Sequence, residues 1–258
     1  MGTDGVWVYA VTHRERAEGC IGGLRGVADE PVHVVSADDL AAVVGTVDLD
    51  EFGKDALSRN LEDLDWVAQK ARAHDAVISA VARSGSVIPV RMATVYRDGS
   101  RVREMLIHRR LDFEATLERL CGRLEVGVKV YGDPKRLGTT DSDHDATEKL
   151  SGTAYLMRRR QALVSREEAY RLAAVEAERI HGMLMRHAVD GRRKPPPARV
   201  LSGRDDMIVL NGTYLVDSDA VGLFRETAAA LVMSTDKLSV ETTGPWPPYS
   251  FAGEPVPG

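Results

Sequence analysis

The residues best suited to chemistry are few and scattered. His181 and His187 stand six positions apart, off the i, i+4 spacing that lets two imidazoles on one helix face share a metal. The chain has no H-E-x-x-H and no G-x-S-x-G, so neither a zinc hydrolase nor a nucleophile elbow is signalled. Cys20 and Cys121 are far apart, with no C-x-x-C and no adjacent histidine to favour a thiolate. Gly19-Cys20-Ile21-Gly22-Gly23-Leu24-Arg25-Gly26 invites a phosphate-loop reading. It has neither a G-K-[ST] ending nor a G-x-G-x-x-G register, so a glycine-rich turn before a strand is predicted. Asp141-Ser142-Asp143-His144-Asp145 starts like a calcium loop, yet it lacks the glycine and the terminal bidentate glutamate such loops need. A solvated loop is expected there. Arg158-Arg159-Arg160 occupy consecutive helix positions, which point around a helix rather than at one phosphate. His74 falls on an apolar helix face and is predicted to be a satisfied core histidine, since a lone imidazole rarely makes a site. No catalytic, cofactor-binding or metal-binding residue is assigned, and the chain is expected not to be an enzyme.

The totals narrow the class further. Of 258 residues, 43% are apolar and 28% charged, an ordinary globular composition in a chain long enough for two domains. A formal net charge of -5 argues against nucleic acid, whose binders carry a basic footprint. No apolar run reaches the ~18 residues needed to span a bilayer, and Met1 to Val11 has no basic segment leading into an apolar core. With two unpatterned cysteines, a cytoplasmic protein is expected, without cofactor, membrane or nucleic-acid partner.

Positioning falls to the following elements, in chain order. Gly5 to Val11 is apolar at both parities, a strand buried on both faces. Val32 to Val35 is a second strand, while Asp38 to Gly45 fits helix or strand equally well. Leu57, Leu61, Leu64, Ala68, Ala71, Ile78 and Val81 predict one long helix over about 55–82. Val87 to Tyr96 reads as a strand, with Pro89 favouring an edge, a bulge or its first residues. A second helix is predicted over about 101–123. Gly127-Val128-Lys129-Val130-Tyr131 then echoes Gly5-Val6-Trp7-Val8-Tyr9 in four of five positions, which places a boundary near Leu124. A long helical region covers about 151–188, followed by a basic proline-rich linker, Gly191 to Arg199. Asn211-Gly212 between two apolar runs predicts a hairpin. A helix over about 219–232 and a strand from Leu238 to Thr242 close the second half.

That half reads strand, helical insertion, hairpin, helix, strand, the order of a ferredoxin-like βαββαβ unit with an enlarged first crossover. The expected class is α+β with two domains. Residues 1–124 form the first, and 125–242 form the ferredoxin-like second with its insertion over about 134–200. A tail, 243–258, follows.

The tail begins Thr243-Gly244-Pro245-Trp246-Pro247-Pro248-Tyr249-Ser250-Phe251. Three prolines make it stiff and extended. It either packs its rings on the protein body or serves a partner as an aromatic-proline ligand. The two-domain reading favours the first, a flap at the domain junction anchored by Trp246, Tyr249 and Phe251.

Several of these segments, in this order, resemble the gas vesicle protein F/L family (GvpF/GvpL). They are Val8-Tyr9, Gly22-Gly23 leading to Val32-His33-Val34-Val35, Trp66 with His74, and Ile88-Pro89-Val90-Arg91-Met92-Ala93-Thr94-Val95. Gly127 to Tyr131, Ser151 to Leu156, Leu210 to Val216 and the Gly-Pro-Trp-Pro-Pro-Tyr tail complete the set. Met92-Ala93 departs from the more usual Phe-Gly, a swap conservative in volume. The resemblance implies an accessory protein of gas vesicle formation that assists assembly of the shell or forms a minor part of it. The implied partners are the hydrophobic major shell protein and other accessory proteins. It also implies two α+β domains with the tail packed between them. A small-molecule-binding regulatory module on a ferredoxin-like fold is the alternative, and fold by itself cannot support it.

Overall fold

The computed structural model describes residues 4–133, 152–195, 207–233 and 237–253. The acidic cluster Asp141 to Asp145 and part of the basic linker lie outside them, as do the side chains of Arg158 and Arg159. The chain folds into two mixed helix-and-sheet units, Met1–Glu125 with Trp246–Gly258 and Val126–Pro245.

In the first unit, β1 (Asp4–His13) lies between β3 (Leu40–Asp48) and β4 (Val87–Pro89). The sheet order is β2-β3-β1-β4, where β2 spans Val32–Ala37 and β5 (Val95–Tyr96) also pairs with β1. All these pairings are antiparallel. Val6 to Val11 are buried without interruption, as apolar residues at both parities require. The ambiguous 38–45 segment is strand. Val43, Val44, Thr46 and Val47 are β-branched and suit a pleated surface paired on both sides. Asp38, at φ 51, makes the tight turn between β2 and β3, a conformation aspartate tolerates.

Both long helices predicted in this unit are broken. The first is α3 (Lys54–Asn60) and α4 (Leu64–Ala82), preceded in the chain by two short helices that were not predicted, α1 (Arg14–Cys20) and α2 (Leu49–Phe52). Asp63 starts α4 by accepting hydrogen bonds from Asp65 N and Trp66 N, at 3.0 and 3.2 Å, so a good N-cap overrides the periodicity running through it. Leu61 and Leu64 are therefore exposed, and the buried face is Lys70, His74, Val77, Ile78 and Val81. The second is α5 (Gly99–His108) and α6 (Arg110–Leu120), separated by Arg109, which is non-helical at φ -105, ψ 18. The 87–96 strand is interrupted as well. β4 ends at Pro89, and the chain turns through Ala93 at φ 66 before β5.

The second unit runs β6 (Arg123–Gly132), α7 (Gly152–Leu184), a 3-10 turn (Met185–His187), β7 (Asp190–Arg193), β8 (Met207–Asp217), α8 (Val221–Met233) and β9 (Leu238–Trp246). Its antiparallel sheet has the order β7-β8-β6-β9. The hairpin expected at Asn211-Gly212 does not form: β8 runs straight through both residues. Its partner β7 comes from the start of the predicted basic linker, with Arg193 opposite Gly212 and Asp190 opposite Leu215. Paired on both sides, β8 has no room to fold back. Gly212 instead serves close packing, since a Cβ there would sit 3.0 Å from the Tyr214 ring. Ala169, Ala173, Ala177, Ile180 and Leu184 form the buried face of α7. Phe224 on α8 meets Tyr214 at 5.3 Å between ring centres. Among the described residues, no helix is long and apolar enough to cross a membrane.

Candidate functional site

Several polar residues of the first unit meet on one face of β1. Trp7 and Tyr9 are two apart, so both point to α4, where Lys70 and His74 are stacked at i, i+4. Trp7 Nε1 donates to His74 Nδ1 at 3.0 Å. Indole is a donor only, so Nδ1 is the bare nitrogen, and Nε2 carries the proton it donates to Val90 O at 2.9 Å. Burial holds the His74 pKa below its ordinary value, against the opposing pull of the Val90 bond and of Asp75. Both ring nitrogens are engaged, which leaves neither for a metal or for proton transfer. His74 is a core histidine, as its place on an apolar face predicts.

Tyr9 Oη donates to Glu30 Oε1 at 2.5 Å and accepts from Val27 N at 2.8 Å. Glu30 Oε2 accepts from Ala28 N at 2.7 Å. Burial, then the Glu30 bond, pushes the Tyr9 phenol well above its ordinary value. The glycine-rich stretch belongs to this arrangement: a Cβ on Gly26 would lie 1.9 Å from Glu30 Oε1 and 2.1 Å from Tyr9 Oη. Gly45 on β3 faces the same carboxylate, also at 1.9 Å. Lys70 Nζ completes the set. It donates to Val27 O at 2.9 Å, pairs with Glu51 at 3.3 Å and lies over the rings of Phe52 and Trp66, at 5.1 and 5.6 Å. This network pins the 26–30 loop to the core. Its groups satisfy one another, as buried polar groups must. Tyr9, Glu30 and Lys70 escaped sequence reasoning, although Lys70 carried a signal as a lysine four residues before His74 on a buried face.

The second cluster holds the C-terminal segment. Tyr249 to Phe251 form a 3-10 turn. Tyr249 Oη donates to Asp75 Oδ1 at 2.7 Å. Ser250 donates twice to Glu125, from N to Oε2 and from Oγ to Oε1, both at 2.7 Å. Arg119 donates to Phe251 O at 2.5 Å. The three aromatics nominated from sequence differ in depth: Phe251 is 0% exposed, Tyr249 37% and Trp246 48%. Burial, then the Asp75 bond, raises the Tyr249 phenol above its ordinary value. Asp75, Arg119 and Glu125 were missed. Glu125, a carboxylate in the strand run Leu124-Glu125-Val126, was the readable one.

In the second unit, His181 Nδ1 and Tyr214 Oη are 2.9 Å apart. His187 lies past the end of α7, so the two histidines do not converge. A groove of about 370 Å3 is lined by Ala174, Ala177, Glu178, Arg193 and Lys194 among others, and its Arg193 is already paired with Glu178 at 2.6 Å. Cys20 is half-buried, Cys121 exposed, and both are free. Among the described residues, no three His, Cys, Asp or Glu side chains are grouped to hold a metal ion.

With this geometry in place, likeness to known proteins is informative. The model of a family described as gas vesicle synthesis protein GvpL/GvpF matches residues 5–253. Gas vesicle protein L of Streptomyces sp. (strain CB03234) is 41% identical over 256 residues, covering 98% of this chain and 95% of that protein. Gas vesicle protein L2 of Halobacterium salinarum is 26% identical over 97% of this chain and 92% of its own length. The crystal structure of the gas vesicle protein GvpF from Anabaena sp. PCC7120 superposes with a TM-score of 0.66 at 16% identity, over 99% of this chain and 98% of that one. That of GvpF from Microcystis aeruginosa gives 0.67, also at 16% identity, over 97% and 99%. These two bear on the fold, including its two antiparallel sheets.

Proposed function

The chain belongs to the gas vesicle synthesis protein GvpL/GvpF family, and on that premise we propose that it assists assembly of the gas vesicle shell by binding the hydrophobic major shell protein. The observation that carries this reading is the near full-length match, at 41% identity, to a gas vesicle protein L. A shell subunit with large apolar faces and strand edges aggregates unless it is covered. This chain presents apolar side chains on helix surfaces to do so, among them Leu64, Leu111, Met157 and Met233. The protein works in the cytoplasm, at the growing vesicle and alongside other accessory proteins, as a binding component rather than a catalyst. In this reading the second unit is a ferredoxin-like domain. Its element order β6-α7-β7-β8-α8-β9 and strand order β7-β8-β6-β9 support that assignment.

The test has two parts. Deleting the gene is expected to abolish buoyant vesicles while shell protein is still made. Purified protein is expected to bind the shell subunit and keep it from aggregating. Neither binding nor suppression by folded protein sinks the proposal.

A further inference from the structure

One short stretch of the first unit carries the whole of the chain's charge excess. Between Asp48 and Asp65, seven carboxylates stand against two basic residues, Lys54 and Arg59, a net charge of -5. That equals the net charge of all 258 residues, so the remaining 240 hold 32 acidic and 32 basic side chains. The same stretch ends in five consecutive exposed residues, Leu61 to Asp65, at the turn from α3 into α4. Leu64 is 81% exposed and Leu61 42%. The turn is preformed. Leu61 N donates to Leu57 O at 2.9 Å, Glu62 N to Arg59 O and Asp63 N to Asn60 O at 3.1 Å, and Asp65 N to Asp63 Oδ1 at 3.0 Å. Asn60 Nδ2 and Trp66 Nε1 tie it to Glu51 of α2, at 3.0 and 3.3 Å.

Two leucines held out on a fixed turn and rimmed by charge have the character of a protein contact, with little ordering left to do on binding. The sign of the charge repels nucleic acid and anionic membranes and selects a cationic partner. Asp63 caps α4 and Glu51 pairs with Lys70, whereas Glu62 and Asp65 form no ion pair among the described residues. With four of its N–H groups already bonded, the turn offers side chains rather than a strand edge. A partner must therefore bring a backbone satisfied by itself, which is a helix. We propose that the Leu61–Asp65 ridge docks a basic amphipathic helix of another protein, its apolar residues on Leu61 and Leu64 and its lysines or arginines on Glu62 and Asp65. The peptides that test this contain no shell protein, so it and the assembly reading stand or fall separately.

The probe is a fluorescent Lys/Leu peptide with leucine at i, i+3, i+4 and i+7, titrated into the full chain at low salt. Leu61→Ser/Leu64→Ser and Glu62→Gln/Asp65→Asn are each expected to weaken binding about tenfold. Glu15→Gln/Glu226→Gln, which removes the same charge at exposed sites elsewhere, is expected to leave it unchanged. A Lys/Ser peptide of equal charge and a Glu/Leu peptide of equal periodicity are each expected to bind about tenfold or more weakly than the Lys/Leu peptide. All the substituted side chains are exposed, so urea midpoints close to that of the unaltered chain are expected and show that the variants are folded. Equal loss in the Glu15/Glu226 variant, equal binding of either comparison peptide, or full binding by the Leu61/Leu64 variant overturns the proposal. So does a dimer of the unaltered chain that Leu61→Ser/Leu64→Ser dissociates, because the ridge is then covered by a second copy.

Discussion

Replacing His74 with phenylalanine keeps a ring of similar size between Trp7 and Tyr9, whose ring centres lie 5.9 and 5.3 Å from the imidazole. It removes both polar contacts. Trp7 Nε1 loses its acceptor and Val90 O loses its donor, and Trp7 is fully buried. Each orphaned buried group costs about 1–3 kcal/mol, so a loss of about 2–4 kcal/mol at pH 7.5 is expected after partial relaxation. The pH dependence adds a sign. The folded pKa of His74 lies below its ordinary value, so between the two the unfolded chain binds the extra proton. His74 therefore contributes stability that is present above about pH 6.5 and is lost as pH falls through the folded value. Phenylalanine cannot titrate, so the gap between variant and unaltered chain should narrow from pH 7.5 to pH 5.5. Urea midpoints at both values, with matched slopes, measure it. A loss under about 1 kcal/mol, or a gap that is constant or widens on acidification, refutes the hydrogen-bond assignment.

Phe251→Ala is expected to cost about 3–5 kcal/mol, limited above by the free energy that docks the C-terminal segment, and Trp246→Ala about 1–2 kcal/mol for a half-covered ring. Chemical denaturation ranks them, and a larger loss at Trp246 reverses the order of depth. Gly45→Ala pushes a methyl into the Glu30 side chain and is expected to cost about 1–3 kcal/mol. Glu30→Ala should absorb that penalty, giving a non-additive double-mutant cycle of about 1 kcal/mol or more; additive losses contradict the packing. Ala93→Gly relieves a left-handed backbone worth about 1–2 kcal/mol, offset by the glycine's greater unfolded entropy. A net gain of about 0.5 kcal/mol, read as a raised urea midpoint, is expected, and a lowered midpoint counts against it.

Ala93 also marks what sequence reading weighs wrongly. Compared with Phe-Gly by volume, Met92-Ala93 looks neutral; the departure matters because of a dihedral angle, which volume does not report. The Asn211-Gly212 error has the same origin. A two-residue turn is a local preference of well under the energy that pairs β8 on both sides, so the neighbouring strands decide. Asp63 and Arg109 break helices whose apolar spacing continues across the break, because periodicity records a face and not a chain path. Positions governed by burial were legible: the double-sided β1 and the buried histidine. Positions governed by partners distant in sequence were not. Glu125 and Ser250 meet across more than a hundred residues, and neither belongs to a recognisable motif.

The two units share more than the GVxVY echo led one to expect. In each, the first strand lies inside the sheet, the third pairs with it on one side and the fourth on the other, and the second is at the edge. The echo falls within the first strand both times, β1 and β6. What separates the two copies is the one position where they differ. β1 is buried from Gly5 to Thr12, and Trp7 fills that position with a ring that reaches His74. β6 alternates over 126–130, with Val126, Val128 and Val130 buried and Gly127 and Lys129 half-buried between them. A central strand covered on both faces needs apolar residues at every step, whereas one with a partly open face admits a lysine whose stem packs while its ammonium stays in water. The shared pattern thus follows from a shared place in the sheet, and the Trp-to-Lys difference follows from what covers each face.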